Sequence, residues 1–439
     1  MVPIRGLEFS RISCVHESVI DARNTFFCVG CALAWACFLL PTARAEEDAL
    51  RSPTAAPSPA EIAAIEPWLD RSLFVHVQLT EAFELPQVTV VAQARVGCEG
   101  VFEVVRDVDA YPHFMPGLDS LNVEAKEGGI IAYEWDWQAA IFSFHGRSAL
   151  LPTANGDGRN GFRAAWETHS SDLGRSRRTL RGAPSRLDPN QCLLVMLSRH
   201  DARHGFYLAR SHPASSLSLS RTLNLLFSVA TLARLRSEAE RRHGVARPKA
   251  EHPTRSNSTL PLDPKPFASW LNRGELFFIE TTDGSDLGVV VGMTRIQSHP
   301  PERVRRAFEE PIDFCKNLLS GATLREIART QGSSRYGWEL QIPFFGASGE
   351  VEIRNLSEFS YDIEAVGGAM RGGRVHVVVH PADQGASSYV VFETRVDPAD
   401  GLPLVRAVES TEAAFRPGLV ASGLLMTFRG LRRGVNEGN

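Results

Sequence analysis

Trp68-Leu69-Asp70-Arg71 returns 202 residues later as Trp270-Leu271-Asn272-Arg273, and the segments after each copy run in the same order. Arg95 and Arg295 lie 200 residues apart, and Arg210 and Arg406 lie 196 apart, so only a few residues have been gained or lost between the copies. A repeat this long encloses an apolar core of its own, which a solenoid unit of roughly 20–50 residues cannot do. The chain therefore reads as one fold written twice.

In the first copy, branched and aromatic residues alternate with polar ones over Leu73 to Leu79 and Val88 to Val96, the two-residue period of strands. Cys98 to Val108 then changes period, with Val101, Val104, Val105 and Val108 at helical spacing. Tyr111-Pro112-His113-Phe114-Met115-Pro116-Gly117 stops that helix, because proline removes an amide donor and restricts the backbone. Six more strands are expected at Leu121 to Lys126, Ile130 to Trp137, Ile141 to Leu151, Phe162 to Ser170, Arg177 to Gly182 and Cys192 to Arg199. A long helix from about Ser216 to Arg241 closes the unit, with Leu219, Leu223, Leu226, Ala230 and Ala233 on one face. The second copy repeats this order. Its short helix starts at Ser298-His299-Pro300-Pro301-Glu302, its strands run from Leu324 to Val396, and Glu409 to Arg432 is its closing helix.

The 439 residues, 43% hydrophobic and 22% charged, are ordinary globular composition, and a net charge of −4 argues against a nucleic-acid carrier. At the N-terminus Arg23, the apolar run Phe26 to Leu40, Pro41 and Ala43-Arg44-Ala45 follow the pattern of a secretory signal. Fifteen apolar residues fall short of the roughly 20 that a spanning helix needs, so cleavage is favoured over a permanent anchor. Export to the periplasm or medium is the expectation, with membrane tethering if the signal stays uncut. Cys98, Cys192 and Cys315 remain beyond it, too few for a disulfide scaffold, and the spacing leaves a Cys98–Cys192 bridge open. The expected division is signal 1–45, solvated spacer 46–66, first domain 67–242, Pro-rich linker 243–268 and second domain 269–434.

A short helix after the first strands, a run of antiparallel strands and one long final helix make an α+β unit. In both copies this order resembles the START-like superfamily, the helix-grip fold of lipid-transfer, polyketide-cyclase and coenzyme-Q-binding proteins. Phe102-Glu103-Val104-Val105-Arg106-Asp107-Val108-Asp109-Ala110-Tyr111-Pro112-His113-Phe114-Met115-Pro116 is similar to that family's helix and its Tyr-Pro-x-Phe-x-Pro turn. The second copy departs from it, with Ile312-Asp313-Phe314-Cys315-Lys316 in place of the turn. The resemblance implies two tandem helix-grip domains, each a curved antiparallel sheet wrapped around a long C-terminal helix, and an internal apolar cavity for a hydrophobic small molecule such as a lipid or quinone.

Independently, Tyr133, Trp135 and Trp137 share one strand face while Glu134, Asp136 and Gln138 share the other. Solid aromatic packing and a cavity wall both account for such a face. The expected ligand contacts are Tyr111, Phe114, Met115, Tyr133, Trp135, Trp137, Phe142, Phe144, Trp166 and Leu223 in the first copy, and Phe314, Trp338, Leu340 and Ile342 in the second. Gly156-Asp157-Gly158-Arg159-Asn160-Gly161 fits a dinucleotide pattern but joins two strands, which makes it a hairpin loop. His200 with His204, and His376 with His380, are four apart without a third ligand at a metal-site spacing. No cofactor motif and no nucleophile elbow is present. Arg175, Arg177, Arg178 and Arg181 form the densest basic cluster, expected as a solvated strand edge or a transient contact with a membrane surface. Three readings follow: an exported carrier or sensor for an apolar molecule; a cyclase, aromatase or hydrolase drawing acid–base groups from Glu134, Asp136, His145, Glu339 or His376; and a ligand-free scaffold.

Overall fold

The computed structural model describes residues 56–78, 85–139, 142–156, 158–205, 213–245, 260–280, 289–312, 315, 322–342, 345–396 and 415–437. The export segment 1–45, the first ten residues of the spacer, much of the linker and Phe314 lie outside them.

Eight strands belong to the first copy: β1 Ser72–Gln78, β2 Val88–Ala94, β3 Leu118–Glu127, β4 Ile130–Ala139, β5 Phe142–Ala154, β6 Phe162–Ser171, β7 Arg175–Pro184 and β8 Cys192–Asp201. Eight belong to the second: β9 Gly274–Glu280, β10 Val290–Ile296, β11 Ala322–Thr330, β12 Ser333–Ile342, β13 Phe345–Ser357, β14 Ser360–Gly368, β15 Arg374–Ala382 and β16 Ser387–Arg395. The helices are α1 Pro59–Ile65, α2 Cys98–Arg106, α3 Pro213–Arg242, α4 Ala268–Leu271, α5 Pro301–Glu309 and α6 Arg416–Glu437. Among the described residues none is long and apolar enough to cross a membrane.

All sixteen strands join in one antiparallel sheet, ordered β11-β12-β13-β14-β15-β16-β10-β9-β1-β2-β8-β7-β6-β5-β4-β3. The two copies meet at β1 and β9, where Ser72 pairs with Glu280 and Gln78 with Gly274. Val75 pairs with Phe277, its own counterpart at the 202-residue shift, so a local two-fold axis passes through that pair. This is the self-complementary geometry of a homodimer, here made within one chain. Each copy's first strand covers the edge that the other would otherwise expose.

A second core packs over this seam. Leu69 and Phe74 of the first copy lie against Trp270, Leu271 and Phe278 of the second, all nearly inaccessible. Phe74 meets Trp270 at 4.9 Å and Phe278 at 5.3 Å between ring centroids. The repeated tetrapeptide thus marks the junction. The stretch read as solvated spacer also contributes, because Ser58 and Glu61 form a capping box that starts α1, whose Ile62 and Ile65 enter the same core. Glu66 is buried behind it and accepts from Ser185 Oγ at 2.7 Å and from the Arg186 amide at 2.8 Å.

In the first copy α3 lies on β1, β2 and β8 and against α2. Leu225, Val229, Leu232 and Leu235 enter the main core, while Leu226 and Ala230 pack on Phe415 at the start of α6. The helix is therefore buried on two sides, and the single apolar face read from its sequence is a mixture of the two. Gly418 of α6 permits this crossing, since a β-carbon there would stand 3.2 Å from the Leu226 Cα. A Cys98–Cys192 disulfide fastens α2 to the first residue of β8. At the equivalent place in the second copy, Ser388 Oγ donates to the His299 carbonyl at 2.8 Å and the Ser298 amide donates to Ser387 Oγ at 3.2 Å.

Candidate ligand cavity

Three strands with the expected inward face build one wall of a cavity in the first copy: Tyr133, Trp135 and Trp137 of β4, Ser148 of β5, and Trp166 and Thr168 of β6. The wall continues through Ser176 and Arg178 of β7 and Met196 and His200 of β8. Phe227, Ala230 and Thr231 of α3 face them, and Tyr111, Met115, Pro116 and Leu118 of the proline turn close one side. Phe415 reaches in from the second copy, with its ring centroid 5.9 Å from Trp137 and 6.0 Å from Phe227. The space amounts to about 150 Å³. An apolar cavity of about that size holds one benzene-sized molecule.

The indole of Trp135 lies flat across the neighbouring strand because its partner there is Gly146, where any β-carbon would collide with the ring. Trp338 lies over Gly349 in the same way at the same positions of the second copy. In the first copy the indole Nε1 donates to Ser148 Oγ at 2.9 Å, Ser148 meets Thr168 Oγ1 at 3.0 Å, and Ser176 donates to Thr168 at 3.1 Å. Trp137 Nε1 donates to the Pro116 carbonyl at 2.8 Å, which pins the proline turn to β4.

Burial raises both cavity phenols. Tyr133 is pushed up to about 12, and Tyr111 is held well above its ordinary value while its hydroxyl donates to the Val105 carbonyl at 2.6 Å. His200 is pulled down to about 4 by burial and by the nearby Arg178 charge, so its ring is neutral at pH 7. Burial also lowers the Arg178 guanidinium, with Tyr133 acting against it. The expectation that Arg178 sits on a solvated edge is corrected here. The two-residue period of β7 turns Ser176, Arg178 and Leu180 inward and leaves Arg175 and Arg181 exposed.

Of the expected contacts, Tyr111, Met115, Tyr133, Trp135, Trp137 and Trp166 line the cavity. Phe114 and Phe144 stand behind it, packed on Tyr111 at 5.6 Å and on Trp137 at 5.3 Å. Leu223 is half-buried on α3 and is not among the lining residues. The side chains of Phe142, Leu340 and Ile342 and the whole of Phe314 are outside the described residues.

The second interior differs. Phe277, Phe428, Phe392, Phe308 and Tyr361 form a chain of ring contacts at 5.9, 5.3, 6.1 and 5.1 Å. The strand pairings set Ser148 and Arg178 against Val351 and Val375, so polar cavity positions of the first copy are apolar in the second, and Met196 against the bulkier Phe392. Tyr336, the counterpart of Tyr133, is fully buried.

No carboxylate lines the cavity among the described residues. Glu134, Asp136 and His145 lie instead in a charged groove on the other face of the sheet, where Asp136 pairs with His145 and Glu134 with Arg147. His376 is paired with Asp362 at 2.8 Å, and Glu339 is exposed. His204 has no described side chain, and no group of three metal-binding residues occurs among the described ones. Phe227, Phe415, Arg178 and His200 were missed as cavity residues. The strand period could have found Arg178 and His200, but Phe415 comes from the other copy and has no local signal.

No family model matches the sequence, and no curated protein matches it. Among solved structures the chain is similar to the Zhui aromatase/cyclase from Streptomyces sp. R1128, with 19% identity over 36% of this chain and 96% of that one and a TM-score of 0.32. The di-domain aromatase/cyclase StfQ of the steffimycin pathway matches over 80% of this chain and 98% of its own at 9% identity, TM-score 0.26. A STAR-related lipid transfer protein fragment from Xanthomonas axonopodis matches over 38% and 93% at 16% identity, TM-score 0.31.

Proposed function

We propose that the first copy is a binding module for a compact apolar molecule carrying one ring, and that the second copy is its structural partner. Each half is read as a sheet curved around its closing helix, with the ligand held in the hollow of the first. The observation that carries the reading is the aromatic chamber of Trp135, Trp137, Trp166, Phe227 and Phe415 around about 150 Å³ of space. About ten ligand heavy atoms at roughly 0.5 kcal/mol each give about 5 kcal/mol, a sub-millimolar affinity reached by water exclusion alone. The acid–base groups that an enzyme reading would draw on face away from the cavity, which favours binding over turnover. We further propose that the protein is exported, a reading supported by the Cys98–Cys192 bridge, since such bonds persist in oxidising compartments.

The test is calorimetric titration with toluene, a neutral apolar one-ring probe, alongside mass spectrometry of small molecules that copurify. Ala230→Phe, which fills the chamber, is expected to abolish probe binding while near-UV circular dichroism stays intact. Unchanged binding in that variant would place the probe elsewhere and remove the basis of the reading. N-terminal sequencing of protein from the native host tests export; a mature chain starting at Met1 in the cytosol contradicts it.

A further inference from the structure

Two polar atoms in the cavity wall are buried without a hydrogen-bond partner, Arg178 Nε and His200 Nδ1. They sit on neighbouring strands of one wall, where Ser176 pairs with His200 and Arg178 with Ser198. Arg178 has no carboxylate partner among the described residues, whereas Arg95, for example, has Asp70. A half-buried guanidinium whose Nε is wholly out of water without a counter-ion is costly, and folding does not by itself require one at this position, because the second copy has Val375 there. His200 Nε2 lies 2.8 Å from the Leu173 carbonyl, which can only accept, so Nε2 carries the proton and Nδ1 presents a bare lone pair. The groups facing this pair are the Tyr133 and Tyr111 phenols, both kept protonated by burial, and Ser148, Thr168 and Ser176, which are satisfied by one another.

We infer that the ligand is a ring-bearing carboxylate with an adjacent hydroxyl, its carboxylate held by Arg178 and its hydroxyl donating to His200 Nδ1. This rests on the cavity reading above and specifies the chemistry of its occupant. A guanidinium offers the forked donor geometry that a carboxylate matches, and the ion pair forms only when the ligand arrives. His200, neutral down to about pH 4, accepts rather than competes for the anion. The cation then selects among molecules of equal shape, because a neutral isostere leaves the guanidinium unpaired.

Calorimetric titration of the full chain with salicylate and with salicylamide tests this. The two share ring and hydroxyl and differ in charge. Salicylate is expected to bind at least tenfold more tightly than salicylamide, and Arg178→Gln is expected to bring the two within threefold of each other while retaining the fold by near-UV circular dichroism. Arg178→Lys should keep part of the preference. His200→Phe should lower salicylate affinity several-fold but leave benzoate, which lacks the hydroxyl, little changed. Equal affinities of the wild type for salicylate and salicylamide would overturn the inference and leave the cavity reading standing. A salicylate preference that survives Arg178→Gln would also overturn it. Binding of neither salicylate, salicylamide nor toluene would overturn both.

Discussion

Asp70 and Arg95 pair at 2.9 Å in the first copy, and in the second Asn272, the counterpart of Asp70, meets Arg295, which takes Asp383 as its acid. The duplicated motif has therefore kept an arginine contact at its third residue while the acid that balances it comes from elsewhere. Arg178 shows the opposite case, a residue whose run of basic neighbours reads as solvent-facing and whose strand period carries it inside. Trp135→Ala is expected to weaken apolar-probe binding at least tenfold while exposed Arg181→Ala leaves it unchanged; equal effects in a titration would contradict the cavity wall. His76 and His200 give a pH prediction. Burial lowers them to about 3 and about 4 from an unfolded value of 6.5, so below pH 6.5 the unfolded chain binds protons that the folded one does not. Stability is then full above pH 6.5 and falls on acidification toward the folded values. By pH 4.5 the loss is about 2–3 kcal/mol for each histidine. Urea unfolding between pH 7 and 4.5 measures it, and His76→Gln should flatten the slope.

Among the elements, α3 shows why a periodic apolar pattern does not name a partner. Its Val229 and Leu232 meet the sheet and its Leu226 and Ala230 meet α6, and both sets have helical spacing. Phe415 at the start of α6 is the element-level contribution to the cavity from the far copy. Phe415→Ala should enlarge the hollow, cost about 3–5 kcal/mol in thermal or urea unfolding, and shift ligand preference toward larger rings. The bridge between α2 and β8 spans 94 residues of sequence. Its replacement by serines at Cys98 and Cys192 should cost about 2–5 kcal/mol, close to the chain-entropy expectation for so long a loop. A change under 1 kcal/mol in urea unfolding would mean that the hydrogen bonds which serve the second copy at this place suffice for the first as well.

Across the whole molecule, the β1–β9 seam and the core above it bind the two copies into one sheet. Trp270 is shared by both, so unfolding is expected as a single calorimetric transition, and Trp270→Ala should destabilise it as one unit by about 3–5 kcal/mol. Two resolved transitions in the wild type would show the copies to be independent. The duplication, the strand order, the closing helices and the inward face of Tyr133, Trp135 and Trp137 were legible in the chain, because hydrophobic periodicity and the repeated Trp-Leu-x-Arg are local signals. Local pattern also fixed where the proline turn falls after α2. What the tertiary structure alone decided is that the copies share an edge, that the spacer helix α1 folds onto their seam, that Phe415 enters its neighbour's chamber, and that polar cavity positions of the first copy are apolar in the second. These depend on contacts between residues far apart in sequence, and no spacing within either copy records which distant side chain occupies a given volume.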